Sequence, residues 1–315
     1  MSRAEREFDC FGGRVRVVIE GDAPGGHVAP LAALLAQAQL QDVHRRLSRF
    51  DEHSELSRLN ADPAPVVPAS RLLRRLASAV VEAGLRSDGL VDATRVRALQ
   101  HAGYASSRAG VPGLPIDALV ADAPAPRPAR AHPDRAWATL AVDDEKRTIA
   151  RPFGVWIDGG GLAKGLAADR LAATLADHAA YAIDCAGDVR IGGRAGLVRT
   201  LRVEDPFGGP PVHALTLTAG AAATSGVGRR SWRTPGGDVA HHLIDPAAGR
   251  PAWTGVVQAT AFAPTALEAE ILAKTALLRG PQDGRRVLER AGGGVLVLAD
   301  GAVDIVAGAC VRQAA

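Results

Sequence analysis

The chain has 315 residues, of which 47% are hydrophobic and 23% are charged, and its formal net charge at pH 7 is +3. This balance is typical of a soluble globular protein with one large domain or two modest ones, and it excludes a wholly disordered chain. The basic residues are scattered among 34 acidic ones and only 4% of residues are aromatic, so we expect no nucleic-acid partner.

The basic residues are divided unevenly between the two cationic types. Of the 37 Lys and Arg residues, only three are lysines, namely Lys146, Lys164 and Lys274. An ammonium is a compact point charge whereas a guanidinium is a planar fork, so the two are not interchangeable where a ligand has a defined shape. In a chain so rich in arginine, each retained lysine is a candidate for a specific role.

The cysteines and the first ten residues indicate the cellular compartment in which the protein is expected. Cys10, Cys185 and Cys310 are far apart and form no CxxC pair, which predicts neither a zinc site nor a disulfide framework. The first ten residues carry charges where a signal peptide would have an apolar segment. No apolar run reaches the roughly 18 residues of a membrane span. We therefore expect a cytoplasmic protein with no membrane span.

Apolar periodicity predicts both helices and strands in the first half of the chain. We expect a strand at 14–19, a helix from about 31 to 48, an extended connector at 63–68, and a helix at 71–86 with Ser70 as its N-cap. Residues 105–136 hold six prolines among Ala and Arg and show little periodicity. We interpret this stretch as a Pro/Ala-rich insertion or exposed loop within a single domain of residues 1–315.

Short strands and helices alternate in the second half. We expect strands at 137–142, 148–150, 181–185, 200–204, 213–218, 295–298 and 303–306, and helices at about 162–178 and at 266–279. Asp300-Gly301 is typical of a two-residue hairpin turn between the last two strands. Together these elements predict a mixed α and β protein.

A glycine-rich turn precedes the helix predicted near residue 162. It reads Asp158-Gly159-Gly160-Gly161-Leu162-Ala163-Lys164-Gly165. Consecutive glycines let a backbone approach a ligand closely, and the N–H groups of a helix start favour an anion, so one interpretation is a phosphate site. The segment matches neither a P-loop nor GxGxxG. A plain strand-to-helix turn with a surface lysine is the alternative.

Groups that could bind phosphate and move a proton occur further along the chain. Thr224-Ser225-Gly226 is followed by Arg229 and Arg230 and then by His241-His242. Adjacent histidines in a strand point to opposite faces, so at most one of them joins a given site. The alternative is a satisfied core histidine beside a surface one.

One helix carries an acid and a base at ion-pair spacing. Glu270 and Lys274 are at i and i+4 of the helix predicted at 266–279, so they share a face. An exposed pair there would contribute little. Because the helix is otherwise apolar, a pair facing a cleft is the other interpretation.

The order of these segments resembles that of the FAD:protein FMN transferases, the ApbE family. The blocks that carry the resemblance are Ser54-Glu55-Leu56-Ser57-Arg58-Leu59-Asn60, Asp92-Ala93-Thr94, Asp158 to Gly165, Ala186-Gly187-Asp188, Thr224-Ser225-Gly226, and His242 to Gly249. They stand in the family's order and span roughly residues 10–310. The resemblance implies an α+β fold of mixed, largely antiparallel sheets flanked by helices, with FAD in a cleft between two halves.

The resemblance also implies a reaction. Such enzymes split the FAD pyrophosphate, attach FMN to a Thr or Ser hydroxyl of a flavoprotein partner and release AMP, usually with Mg²⁺. It assigns catalysis to His242 and Lys164. The residues that it places at FAD are Phe50, Asp92, Asp158, Gly160, Gly161, Lys164, Ser225, Gly226, Ile244 and Lys274.

The implied metal site is altered in this sequence. The family's helix carries Asp with Thr four residues later, whereas this chain has Glu270 and Lys274. One hypothesis places the Lys274 ammonium near the Mg²⁺ position, held by Glu270, where it neutralises the FAD phosphates without metal. The other keeps Mg²⁺ on Glu270 and the carbonyl of Gly161.

Two other functions stay open at this point. The altered metal site is compatible with an FAD-binding homologue that has little or no transferase activity. The glycine turn alone would also suit a nucleotide-dependent dehydrogenase with an irregular phosphate loop.

Overall fold

A computed structural model of the chain describes residues 2–24 and 28–308. Its strands are β1 (Arg3–Cys10), β2 (Gly13–Glu20), β3 (Val66–Pro68), β4 (Ala141–Asp143), β5 (Thr148–Ala150), β6 (Ala180–Cys185), β7 (Asp188–Gly192), β8 (Arg199–Val203), β9 (His213–Leu217), β10 (Gly220–Gly226), β11 (Ser231–Arg233), β12 (Val239–His241), β13 (Ile244–Asp245), β14 (Arg250–Pro251), β15 (Val256–Ala263), β16 (Gly294–Leu298) and β17 (Val303–Val306). Its α-helices are α1 (Ala29–Leu47), α2 (Glu55–Ala61), α3 (Arg71–Arg86), α4 (Val96–His101), α5 (Ile116–Ala121), α6 (Ala163–Leu175), α7 (Ala266–Arg279) and α8 (Pro281–Glu289).

The largest sheet has eight strands in the order β1-β2-β6-β7-β10-β15-β16-β17, and all of its pairings are antiparallel. Helices α1, α6, α7 and α8 lie side by side on one face. Alternation along β10 explains this layering, because Ala221 and Ala223 join the helix-side core while Ala222 packs with Phe262 on the other face. Helices therefore flank largely antiparallel sheets, as predicted.

Helices α6 and α7 approach closely because Gly165 lies between them. A Cβ built on Gly165 would stand 2.7 Å from the Cα of Leu267 and 2.8 Å from the carbonyl carbon of Ala266. The contact is against backbone, which cannot move aside as a flexible side chain could. Glycine at this position therefore sets the spacing of the two helices that carry Lys164 and Lys274.

We expect Gly165→Ala to lower the free energy of unfolding by about 1–3 kcal/mol, because overpacking outweighs the better helix propensity of alanine. Urea unfolding measures this change. Gly236→Ala is the matched control, since the nearest atom to a Cβ there is Thr234 Oγ1 at 3.7 Å. A Gly165→Ala protein as stable as the control would show that the helices do not depend on this close approach.

The predicted strand at 137–142 is wrong over residues 137–140. Residues Ala136–Thr139 form a 3₁₀ helix, and β4 begins only at Ala141. The buried indole of Trp137 packs on Gly84, where a Cβ would lie 2.2 Å from the ring. Seating this ring under α3 turns the chain and prevents an extended strand.

Two other local expectations need correction. The turn of the last hairpin consists of residues 299–301 and not of two residues, because Leu298 N donates to Ala302 O at 2.9 Å. The stretch 105–136 contains α5, whose Ile116 and Leu119 are buried. These side chains pack against Val227 and Val257, so the stretch is not wholly an exposed loop.

Two of the three cysteines lie within the described residues. Cys10 and Cys185 are both buried and unpaired, while Cys310 lies outside these residues. Among residues 2–24 and 28–308, no helix combines the length and apolar character needed to span a membrane.

Candidate functional site

A cleft made of three adjoining pockets opens beside the glycine turn, and all three share Gly160 and Arg230. All of the residues predicted to bind FAD or to act in catalysis line it. They are Phe50, Asp92, Asp158, Gly160, Gly161, Lys164, Ser225, Gly226, His242, Ile244 and Lys274. Residues from six separate parts of the chain thus meet at one place, and Glu270 lies directly behind them.

Lys164 forms a buried ion pair at the start of α6. Its Nζ lies 2.9 Å from Oδ2 of Asp188, the first residue of β7. The Asp188 side chain is only 1% exposed, whereas that of Lys164 is 18% exposed toward the cleft. Burial disfavours the charged amine, but the carboxylates of Asp188 and Glu270 outweigh this and raise the pKa of Lys164. Lys164 therefore presents a permanent positive charge to the cleft.

Glu270 and Lys274 form a second buried pair on α7. Lys274 Nζ lies 3.0 Å from Glu270 Oε1, and the other carboxylate oxygen accepts from the Gly165 backbone N–H at 3.0 Å. The Glu270 side chain is 1% exposed. Burial raises its pKa to about 7, although the Lys274 ammonium acts in the opposite direction. Lys274 thus faces the cleft, while Glu270 lies behind it and contacts both Lys274 and the first turn of α6.

The carboxylates at the glycine turn are engaged by the protein itself. Asp158 Oδ1 accepts from Gly160 N at 3.0 Å and lies 3.2 Å from Arg49 Nε. Asp92 Oδ1 accepts from Thr94 N at 2.9 Å. Both acids therefore fix the backbone and the cations around the cleft rather than leaving free negative charge in it.

A surface of aromatic rings and a cation lies beside the glycine turn, since Arg49 contacts both Phe50 and Asp158. Two of its members, Arg49 and Tyr104, were not predicted from the sequence. The Arg49 guanidinium carbon is 4.1 Å from the ring centroid of Phe50 and 4.7 Å from that of Tyr104. Tyr104 also stacks on Trp232 at 5.7 Å. These rings provide a surface for a planar ligand. The adjacency of Arg49 to Phe50 was the only signal in the sequence.

Arg229 and Arg230 add two further positive charges to the cleft. Arg230 donates to Phe11 O at 2.8 Å and to the Tyr104 hydroxyl at 3.2 Å, while Arg229 donates to Ala186 O at 2.7 Å. Within the described ranges, neither guanidinium forms an ion pair with an acid. The cleft is therefore electropositive and suited to an anion.

The two adjacent histidines have different surroundings, although β12 ends at His241 and does not include His242. His242 lines the cleft, and its Nδ1 is buried without a hydrogen-bond partner in the part of the chain that the structure describes. Burial, followed by the nearby Arg230 charge, lowers the pKa of His242 well below its ordinary value. His241 instead packs edge-on against Trp253 at 4.5 Å. A neutral imidazole thus lines the cleft.

His241 should make the protein sensitive to acid. Burial lowers its folded-state pKa to about 3, whereas an unfolded histidine titrates near 6.5. The native state therefore excludes a proton that the unfolded state binds, so the stabilisation is complete above about pH 6.5 and is lost as the pH falls towards 3. Each unit by which the pH falls within this window lowers the free energy of unfolding by about 1.4 kcal/mol.

We expect His241→Asn to make the dependence of the unfolding free energy on pH between 6.5 and 4 less steep, while the contribution of the buried His242 persists. Asparagine keeps an acceptor for the Leu243 N–H, which donates to His241 Nδ1 at 3.2 Å, but it does not titrate. Chemical unfolding at several pH values measures the effect. Replacing the exposed His53 by Asn should leave the wild-type slope unchanged, and an equal flattening in both proteins would contradict the assignment to His241.

The residues at the implied metal site do not fit Mg²⁺. Mg²⁺ requires oxygen donors in near-octahedral geometry, but Glu270 is the only carboxylate of the predicted metal set. Its two oxygens already contact an ammonium and a backbone N–H. Across residues 2–24 and 28–308, no cluster of three His, Cys, Asp or Glu side chains could hold a metal ion.

Comparison with known proteins gives one consistent result. A family model described as "ApbE family" matches residues 11–299. An FAD:protein FMN transferase of Haemophilus influenzae is 26% identical over 270 residues, which cover 81% of this chain and 74% of that protein. The same-named protein of Treponema pallidum is 31% identical over 141 residues, only 39% of its length. The crystal structure of an ApbE protein from Thermotoga maritima is 25% identical, covers 97% of both chains and gives a TM-score of 0.77.

Proposed function

We propose that this chain, which belongs to the ApbE family, is an FAD:protein FMN transferase that modifies a Thr or Ser of a flavoprotein partner. The curated relatives that match it carry that name. The family match over most of the chain gives no support to the nucleotide-dependent dehydrogenase suggested by the glycine turn alone. The cytoplasmic location stays a prediction.

The observation that carries the proposal is the distribution of charge in the cleft. Lys164, Lys274 and Arg230 line the cleft together with Gly160 of the glycine turn, while the acids beside them are paired. A pyrophosphate carries two negative charges and needs such preorganised cations and backbone N–H groups. The rings of Phe50 and Tyr104 lie next to this site and would contact the flavin.

The chemistry requires one proton acceptor and a stabilised phosphate. The acceptor hydroxyl attacks the FMN phosphorus, a P–O bond forms, and the P–O bond to AMP breaks. His242 takes the hydroxyl proton because its imidazole is neutral. Lys164 and Arg230 offset the charge that develops on the phosphate oxygens and on the departing AMP.

Incubation with FAD and an acceptor flavoprotein tests this function. We expect the acceptor to gain the mass of FMN while AMP appears in equal amount. An acceptor with Val in place of the target Thr should gain nothing. Binding of FAD that stays intact for hours, with no adduct, would instead identify an FAD-binding homologue, an alternative that the ammonium at the metal position favours.

A further inference from the structure

We propose that the Lys274 ammonium, held by Glu270, serves as a built-in cation in place of a divalent metal, so that this chain binds FAD without Mg²⁺. The inference rests on the proposed function only in taking FAD as the ligand. It follows from the misfit between the residues of this site and the metal that the family resemblance implies.

The position of the Lys274 side chain is the first argument. A metal held by Glu270 and the Gly161 carbonyl would have to lie between these two residues. Lys274 occupies that place, because its Nζ is 3.0 Å from Glu270 Oε1 and its Cε is 3.7 Å from a Cβ built on Gly161. The ammonium and a metal ion would thus compete for one position.

The second argument is that both carboxylate oxygens of Glu270 are already hydrogen-bonded within the protein. Oε1 accepts from Lys274 and Oε2 accepts from Gly165 N, so each oxygen already has a donor. Withdrawing Glu270 from Gly165 would leave a buried N–H unpaired at the α6–α7 contact. A divalent ion would also be repelled by the ammonium at hydrogen-bond distance.

The third argument is that the Lys274 side chain is more accessible from the cleft than the Glu270 side chain. The Lys274 side chain is 12% exposed while that of Glu270 is 1% exposed, so the cation and not the acid reaches the cleft. Lys274 lines the cleft together with Gly160, Ser225 and His242. An ammonium there can donate to phosphate oxygens as a point charge.

A titration of FAD binding with and without metal tests this inference. We expect the wild-type Kd for FAD, measured by quenching of flavin fluorescence, to agree within about twofold in EDTA and in millimolar Mg²⁺. A wild-type Kd that tightens tenfold or more with Mg²⁺ would overturn the inference and leave the proposed function intact. Metal-independent FAD binding without any FMN transfer would overturn the proposed function alone.

Substitutions at Lys274 give an independent readout. We expect Lys274→Thr to weaken FAD binding at least tenfold in EDTA and to regain part of it in Mg²⁺, because the hydroxyl supplies an oxygen donor and Glu270 is released. Lys146→Thr, at an exposed lysine paired with Asp143, should bind as wild type. FAD binding by Lys274→Thr that equals wild type in EDTA would overturn the inference.

A double variant in which both residues are neutral distinguishes the effect of the Lys274 charge on FAD binding from its effect on folding. Because Lys274→Thr leaves a buried carboxylate unpaired, the double variant Glu270→Gln/Lys274→Met is also needed. We expect this protein to fold with a wild-type circular dichroism spectrum but to bind FAD at least tenfold more weakly, in EDTA and in Mg²⁺ alike. Wild-type affinity in the folded double variant would show that the ammonium is not used.

Discussion

Replacing Lys164 by Met is expected to lower FAD affinity by about 10- to 150-fold, the equivalent of the roughly 1.5–3 kcal/mol of a charge-assisted hydrogen bond. The loss should be larger than for an exposed lysine, because Asp188 then faces the phosphates as an unpaired carboxylate. The same change removes the partner of a side chain that is 1% exposed. We therefore expect the unfolding free energy to fall by about 3–5 kcal/mol as well.

A double variant distinguishes ligand binding from folding. Lys164→Met/Asp188→Asn removes both charges, so most of the lost stability should return while FAD affinity stays low. Isothermal titration with FAD and urea unfolding of the same proteins give the two quantities separately. Recovery of FAD affinity along with stability would show that Lys164 acts only as the partner of Asp188.

The shape of the cation provides a further control for Lys164 and Lys274. Substitution of either lysine by arginine keeps the charge but replaces a point charge by a fork that needs more room and different donor directions. If the cleft requires compact cations, both arginine variants should bind FAD markedly more weakly. Near-normal affinity in both would mean that the scarcity of lysine in this chain has no bearing on the site.

The elements best predicted from the sequence are those with local signals at both ends. Helix α3 begins after Ser70, whose hydroxyl accepts from Leu73 N, and α7 begins after Thr265, which accepts from Glu268 N. Capping side chains and a 3.6-residue period are readable within one window, so the predicted bounds of both helices agree with the structure.

Elements stabilised by distant partners were harder to predict. Strand β1 has few apolar residues and was not predicted, because it is an edge strand whose charged side chains pair across to β2, as Arg16 does with Glu5 at 2.6 Å. Trp137 likewise ended a predicted strand through contact with Gly84, more than fifty positions away. Neither interaction leaves a local pattern in the sequence.

The same distinction applies to the cleft. Its glycine turn, Lys164, His242 and Lys274 lie in motifs whose order resembles the family, so the sequence pointed to them. Arg49 and Tyr104 meet only in the folded protein, where Arg49 donates to the Tyr104 carbonyl at 2.7 Å across 55 positions. The surface that they form with Phe50 could not be predicted from the spacing of these residues in the sequence.

Substitution of His242 is expected to have a large effect on the rate of FMN transfer. We expect His242→Asn to slow FMN transfer by about 10²- to 10⁴-fold, the usual contribution of a positioned general base, while the Kd for FAD changes by no more than about threefold. Binding should persist because the imidazole is neutral and so contributes no charge to the phosphates. Asparagine retains a small polar side chain but has no basic ring nitrogen to accept the proton.

His241→Asn is the matched control, since the same substitution one residue away alters a side chain that packs on Trp253 and does not line the cleft. At pH 8, where the buried histidine is neutral in both states, this variant should transfer FMN at close to the wild-type rate. Single-turnover transfer with saturating FAD separates the chemical step from binding. A His242→Asn protein that lost FAD affinity and transfer in the same proportion would assign His242 to ligand binding, because a group that acts only on the acceptor proton has no reason to weaken the FAD complex.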